Sequence, residues 1–218
     1  MSASPRARIR ASAVATGKGD DGTTGLLFGG TRIAKDDPRT EAYGTIDEAV
    51  AALGLARAEL SVKAQYGTLP AGLAGLGPII LRLQRELFVA AAELATGADA
   101  WDRLRDGETR VDAAMVDGLE DLLAETEAGI EMPREFVVPG ETRTSAALEL
   151  ARTIIRRAER RAVGLQGAGL VAGNHLLPYL NRLADLVWVL ARAAEQAEQR
   201  SPVPARTRRA RPGNDSRT

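Results

Sequence analysis

The chain has 218 residues, of which 29 are basic and 29 acidic, with one histidine, no cysteine and 44% hydrophobic residues. That length suits one sizeable domain able to bury roughly 70% of its unfolded surface without a disulfide or metal staple. Zero formal net charge argues against a protein that coats nucleic acid or an anionic membrane, the missing cysteines exclude disulfide, thiolate-metal and cysteine-nucleophile chemistry, and the lone His175 argues against a Ser-His-Asp triad or a multi-histidine metal site.

Residues 1–14 are Arg- and Ser-rich, lack the apolar core of a secretory signal and are expected to be disordered. No run of about 18 apolar residues is present to span a membrane. Residues 16–40, TGKGDDGTTGLLFGGTRIAKDDPRT, read as a Gly-rich loop. Gly17, Gly19, Gly22 and Gly25 allow backbone N–H groups to turn inward, and Lys18, Thr23 and Thr24 add a cation and hydroxyls. The composition suits a polyphosphate, and it equally suits a plain connecting loop. It is neither a P-loop, for want of GxxxxGK[ST], nor a dinucleotide fingerprint, for want of a leading strand.

Helical spacing then predicts helices over 41–60, 78–95, 111–128, 144–163 and 176–199, the first marked by Tyr43, Ile46, Val50 and Leu53. Pro178 falls in the first turn of the last, where a missing N–H costs nothing. A short extended piece, EFVVPGET, precedes the fourth helix. Strands and helices do not alternate, so the expected fold is all-α, a bundle of five principal helices forming one domain over 15–200. The tail 201–218, rich in Arg, Pro and Ser, is expected to be a disordered basic extension.

The fourth predicted helix, SAALELARTIIRRAERRAVG, places Ala147, Leu148, Ala151, Ile155, Ala158 and Ala162 on one apolar face at about 100° per residue. Arg152, Arg156 and Glu159 share a neighbouring stripe with Arg160 just beyond, while Arg157 and Arg161 face the opposite side. Like charges at i,i+4 cost a few tenths of a kcal/mol unless neutralised, so the stripe calls for carboxylates or a bound phosphate; a solvated face with one internal Glu is the other reading. On the fifth helix Leu180, Leu183, Ala184, Val187, Leu190 and Ala191 form the apolar face, and Asn181, Asp185, Trp188 and Arg192 form a separate stripe. Asn181 suits either a nucleobase or sugar contact or the setting of helix register. His175, in the preceding turn, reads as a cap or surface residue.

Together these segments resemble the PduO-type ATP:cob(I)alamin adenosyltransferases, also called corrinoid adenosyltransferases. GDDGTTGLLFGGTRIAKDDPR, EAYGTIDEAVAALGLARA, LQRELFVAAAELA, FVVPGETRTSAALELARTIIRRAERRAVGL and LPYLNRLADLVWVLAR occur in the family's order and cover nearly all of 16–194. The resemblance implies a five-helix bundle that assembles as a homotrimer, with active sites between subunits. It implies transfer of the 5′-deoxyadenosyl group of ATP to the cobalt of a reduced corrinoid, cob(I)alamin or cob(I)yrinic acid a,c-diamide. Triphosphate is released, and adenosylcobalamin is the product in the first case. Mg²⁺ is expected on the ATP phosphates, with no metal ligand assigned to the chain. The corrinoid is itself the nucleophile, so no Ser, Cys or His nucleophile is required.

Residue by residue, Thr16, Gly19, Thr24, Gly25 and Lys35 match family positions that hold ATP, with Gly17 and Lys18 in the same stretch. Arg156, Glu159, Arg160 and Asn181 match further nucleotide-binding positions. Asp47 matches an aspartate that pairs across the subunit boundary with the arginine at Arg152, at the corrinoid end of the site. Phe136 matches the aromatic residue that displaces the corrinoid's lower axial ligand, leaving a four-coordinate cob(II)alamin that is easier to reduce. Arg156, Asp47, Arg152 and Phe136 are therefore the expected catalytic set. Two departures from the family pattern stand out: the basic residue after Thr16 has slid to Lys18, and the usual PGG reads Pro139-Gly140-Glu141. The resemblance further implies a cytoplasmic enzyme served by a flavin-dependent reductase and an adenosylcobalamin-dependent mutase, with no nucleic-acid or membrane partner. A non-catalytic corrinoid or ATP carrier on the same bundle is the alternative, and a nucleic-acid binder acting through the basic tail is a third reading.

Overall fold

The N-terminus of the first helix is dictated by Asp37-Pro38. Asp37 is extended and its carboxylate accepts the Arg39 N–H at 2.8 Å, while Pro38 occupies a first-turn position that has no N–H to satisfy. In the computed structural model, which describes residues 14–206, this helix, α1, runs Pro38–Gln65. It is followed by α2 (Leu76–Leu94), α3 (Ala113–Ala128), α4 (Arg143–Gly167) and α5 (Leu176–Ala197). The five expected helices are thus present, with bounds set by caps that hydrophobic spacing does not report. A capping box starts α4: the Ser145 N–H donates to Thr142 Oγ1 at 3.1 Å and the Thr142 N–H to Ser145 Oγ at 3.2 Å.

Helix α1 packs against α2 and α4, α4 against α5, and α5 against α3. The apolar faces expected on the fourth and fifth helices are all buried, with Leu148, Ile155, Leu183 and Val187 sharing one core with Ile46, Leu53, Leu83 and Leu87. Alanines 49, 56, 90, 151, 158, 162 and 191 are buried among them, so this core keeps its helices close with few aromatic side chains.

Two short 3-10 helices, Ala71–Leu73 and Ala98–Arg103, and four two-residue strands make up the other regular elements of the described residues. β1 (Thr23–Thr24) pairs antiparallel with β2 (Ile33–Ala34), and β3 (Val137–Val138) with β4 (Val203–Pro204). The second ribbon corrects the expected limits of the tail. Residues 201–206 begin with backbone docked on the segment after α3, not with a loose extension, and the Ala205 N–H donates to the Phe136 carbonyl at 2.7 Å. Extended β3 leaves backbone groups that need partners, and the chain returning from α5 supplies them. The expected disorder at 1–13 and 207–218 lies outside the described residues.

A buried guanidinium ties the N-terminal end of α1 to the rest of the bundle. Arg39, 5% exposed, donates through Nη1 to the carbonyls of Leu94 at 2.6 Å and Thr96 at 3.0 Å, and through Nη2 to Leu170 at 2.9 Å. It thereby satisfies carbonyls left open where α2 ends. Glu93 does the reverse one residue before the end of α2, its buried carboxylate accepting the N–H groups of Val111 and Gly173, both at 2.9 Å. Burial pushes the Glu93 carboxyl above its ordinary pKa. Replacing Arg39 by Ala strands three carbonyl acceptors; it is expected to cost about 3 kcal/mol or more, measured as a lowered urea midpoint at unchanged m-value.

Candidate functional site

The Gly-rich segment is a folded strap. Gly17 and Gly22 have φ of 66° and 79°, which glycine adopts without strain, and the Gly22 N–H donates to the Gly19 carbonyl at 3.1 Å. The Lys35 N–H donates to the Gly22 carbonyl at 2.9 Å, closing the strap onto β2. A side chain at position 19 would bring its Cβ within 2.9 Å of Lys35 Nζ, so the absence of one is what lets the ammonium lie over the backbone there. Lys35 and Gly19 are therefore brought together, with Thr24 and Gly25 one ribbon turn away.

Arg32, which residue spacing did not single out, holds the strap. Its Nε donates to Thr23 Oγ1 at 2.8 Å and its Nη2 to the carbonyls of Lys18 and Thr23 at 2.7 and 3.0 Å. The Asp21 carboxylate accepts from the Thr23 N–H and hydroxyl, bonds that lower its pKa. The Lys18 N–H makes a long contact of 3.5 Å to Thr16 Oγ1. The strap docks on the end of α2 through the Leu27 N–H, which donates to the Ala95 carbonyl at 2.8 Å.

Six arginines lie on α4, at 143, 152, 156, 157, 160 and 161. Four are paired: Arg143 with Glu59, Arg152 with Glu149, Arg157 with Glu48 and Arg161 with Glu41. Arg157 and Arg161, expected on the far side of the stripe, thus bind α4 to α1. Arg156 and Arg160 are exposed and neither faces a carboxylate among the described residues, the only polar contact between them being Arg160 Nη1 to the Arg156 carbonyl at 3.0 Å. Beside them Asn181 Nδ2 donates to Glu159 Oε1 at 3.2 Å, which joins the expected residues of α4 and α5 in one patch. Glu159 thus binds Asn181 and not an arginine.

A groove of about 500 Å³ opens at the other end of α4, lined by Phe136, Val137, Pro139, Glu149, Arg152 and Trp188 among others. Phe136 is 88% exposed at its rim. Beneath it lies a buried cluster: Glu149 Oε1 accepts from Arg192 Nη2 at 3.1 Å, and Arg192 Nη2 also donates to Glu195 Oε1 at 3.0 Å. The Arg192 guanidinium sits 5.5 Å from the centroid of the Trp188 ring. Placing Arg192 on a polar stripe overlooked this burial.

Two groups of residues are therefore assembled separately. Within one chain no hydrogen bond or ion pair among the described residues joins the strap to Arg156, Glu159, Arg160 or Asn181, and none joins exposed Asp47 to Arg152. The segment carrying Phe136 is fixed by β4 and by Gln196, whose side chain bonds both the N–H and the carbonyl of Glu131, at 2.9 and 2.6 Å.

The sequence matches the family described as cobalamin adenosyltransferase over residues 14–194. A corrinoid adenosyltransferase of Citrobacter freundii is 38% identical over 180 residues, spanning 83% of this chain and 93% of its own. One of Mycobacterium tuberculosis H37Rv is 36% identical over 188 residues, spanning 85% and 90%. Among solved structures, a variant PduO-type ATP:corrinoid adenosyltransferase from Lactobacillus reuteri, complexed with cobalamin and ATP, superposes with a TM-score of 0.72 at 29% identity, covering 88% of this chain and 98% of that one.

Deleting residues 201–218 removes the partner of β3. Amide hydrogen exchange at 136–138 is expected to accelerate by at least about tenfold while α1, α4 and α5 keep their protection; unchanged protection at 136–138 would show that the ribbon does not hold this segment.

Proposed function

The chain belongs to the cobalamin adenosyltransferase family and is an enzyme that transfers the adenosyl group of ATP to the cobalt of a corrinoid, and on that premise we propose how its residues divide the work. Arg156 and Arg160 hold the triphosphate, with Glu159 and Asn181 fixing the nucleotide beside them. The strap of Thr16, Gly17, Lys18, Gly19, Thr24, Gly25 and Lys35 closes over the same phosphates from a neighbouring copy, in a homotrimer. The observation that carries this reading is the charge arrangement on α4: its four other arginines have carboxylates, and these two adjacent guanidinium groups do not.

The reaction asks little covalent chemistry of the protein. The reduced corrinoid's Co(I) electron pair attacks C5′ of ATP, the C5′–O bond breaks, and triphosphate leaves with that bonding pair. Charge grows on the departing oxygen, where preorganised guanidinium groups act most strongly. Mg²⁺ would be carried by the ATP phosphates, where it would supply partial neutralisation of their charge. Glu159, the carboxylate between Arg156 and Arg160 on α4, is the residue of this patch that would help to hold it. Phe136, an apolar ring raised at the rim of its groove, faces the corrin underside and keeps a lower ligand off cobalt. Arg152 receives Asp47 of the neighbouring copy and closes the corrinoid end of the site. The catalytic domain runs from the strap through β4; the reaction belongs in the cytoplasm, with a flavin-dependent reductase supplying Co(I) and an adenosylcobalamin-dependent mutase using the product.

Arg156→Ala is expected to lower kcat roughly 10²–10³-fold with the assembly and helix content intact. The assay is anaerobic incubation with ATP, Mg²⁺ and chemically reduced cobalamin, followed by the light-sensitive spectrum of the alkyl-cobalt product. Full activity in this variant overturns the assignment of the arginine stripe.

A further inference from the structure

The charges beneath the Phe136 groove balance only if Arg152 is counted among them. Glu149 is 3% exposed, Glu195 0% and Arg192 1%, so two carboxylates and one guanidinium are buried together. The missing positive charge is Arg152, whose Nε donates to Glu149 Oε2 at 2.6 Å. Glu149 is the link, with one oxygen on Arg192 and the other on Arg152.

This cluster is a poor device for stability. Arg192 Nε and Nη1 and Glu195 Oε2 are buried without hydrogen-bond partners, and each such group carries a desolvation penalty that an apolar replacement would avoid. What the cluster does achieve is orientation. The bond to Glu149 engages only the Nε of Arg152, and its two Nη nitrogens make no hydrogen bond among the described residues. Arg152 and Glu149 both line the groove that carries Phe136 and Trp188. A long arginine at such a rim ordinarily samples many rotamers; one tied at Nε to a buried, anchored carboxylate presents its terminal nitrogens in one place.

We propose that Glu149 is a positioning residue, anchored by Arg192, which holds the Arg152 guanidinium with both Nη nitrogens free to receive Asp47 of a neighbouring copy beside the bound corrinoid. This rests on the role given to Arg152 and Asp47 above and adds the residue that prepares it. Glu149, 3% exposed, acts through Arg152.

The test compares Glu149→Gln, Glu149→Asp, Glu195→Gln and Asp47→Asn in the full-length protein, measuring KM for reduced cobalamin and for ATP separately. Glu149→Gln keeps the side-chain shape and removes its charge, and is expected to raise the corrinoid KM about tenfold with the ATP KM within about twofold. Glu149→Asp, which keeps the carboxylate at shorter reach, falls between this variant and wild type. Glu195→Gln alters the same buried cluster without touching Arg152 and leaves both KM values unchanged. The Glu149→Gln/Asp47→Asn double variant is no worse than Asp47→Asn alone, since both act through one guanidinium. If Asp47→Asn raises the corrinoid KM and Glu149→Gln does not, the inference falls and the Asp47–Arg152 pairing stands. If Asp47→Asn has no effect, the pairing itself is wrong. Equal losses in Glu149→Gln and Glu195→Gln, or unfolding of both Glu149 variants, make Glu149 structural and also overturn the inference.

Discussion

Six guanidinium groups on one 25-residue helix set the terms for the rest of the molecule. Unneutralised, neighbours a turn apart repel one another. The fold answers by bringing Glu41, Glu48 and Glu59 of α1 against α4 and by burying Glu149 within α4 itself. Two of these pairings also fix which face of α4 meets α1. The helix is thereby turned so that Arg156 and Arg160 remain outward without carboxylates, next to Glu159 and Asn181. A helix with all its charges internally matched would hold an anion poorly, and one with none matched would be unstable; α4 lies between these limits.

Around that helix the site is built from parts of very different stiffness. The patch of Arg156, Glu159, Arg160 and Asn181 stands on two long packed helices. The strap is short, Gly-rich and shaped by backbone turns, with Arg32 as its main internal brace. Phe136 stands on a two-residue ribbon whose partner strand comes from the far end of the chain. For a reaction in which the attacking atom belongs to the substrate, the roles we propose for these parts are sufficient: cations for the leaving group, a strap over the phosphates, and an apolar ring at the corrin. The adenosyl transfer needs placement and charge stabilisation more than it needs a reactive side chain.

Much of this was legible in the residues. The apolar faces of the fourth and fifth helices follow from spacing alone, because burial on a helix has the helix period. The arginine stripe was visible too, but its neutralisation was not: whether Arg157 meets Glu48 depends on which helices are neighbours, and periodicity within one helix carries no such information. Burial of Arg39 and Arg192 was missed for the same reason, since a charged side chain on a stripe reads as solvated until its distant partners are known. The extended piece that holds β3 was legible, but its pairing with β4 was not, because the composition around Val203–Pro204 resembles that of a loose tail. Family resemblance supplied Asp47 and Phe136, both exposed in the single chain; spacing in the sequence marks neither.

The central claim is that strap and arginine stripe meet between copies and not within one. Co-expressing a Lys35→Ala chain with an Arg156→Ala chain, each inactive alone, tests it directly. In randomly mixed trimers about a quarter of the interfaces combine an intact strap with an intact stripe. Recovery of adenosyltransferase activity to about a quarter of the wild-type value is the predicted result. Activity no higher than that of either variant alone would contradict a site shared between subunits.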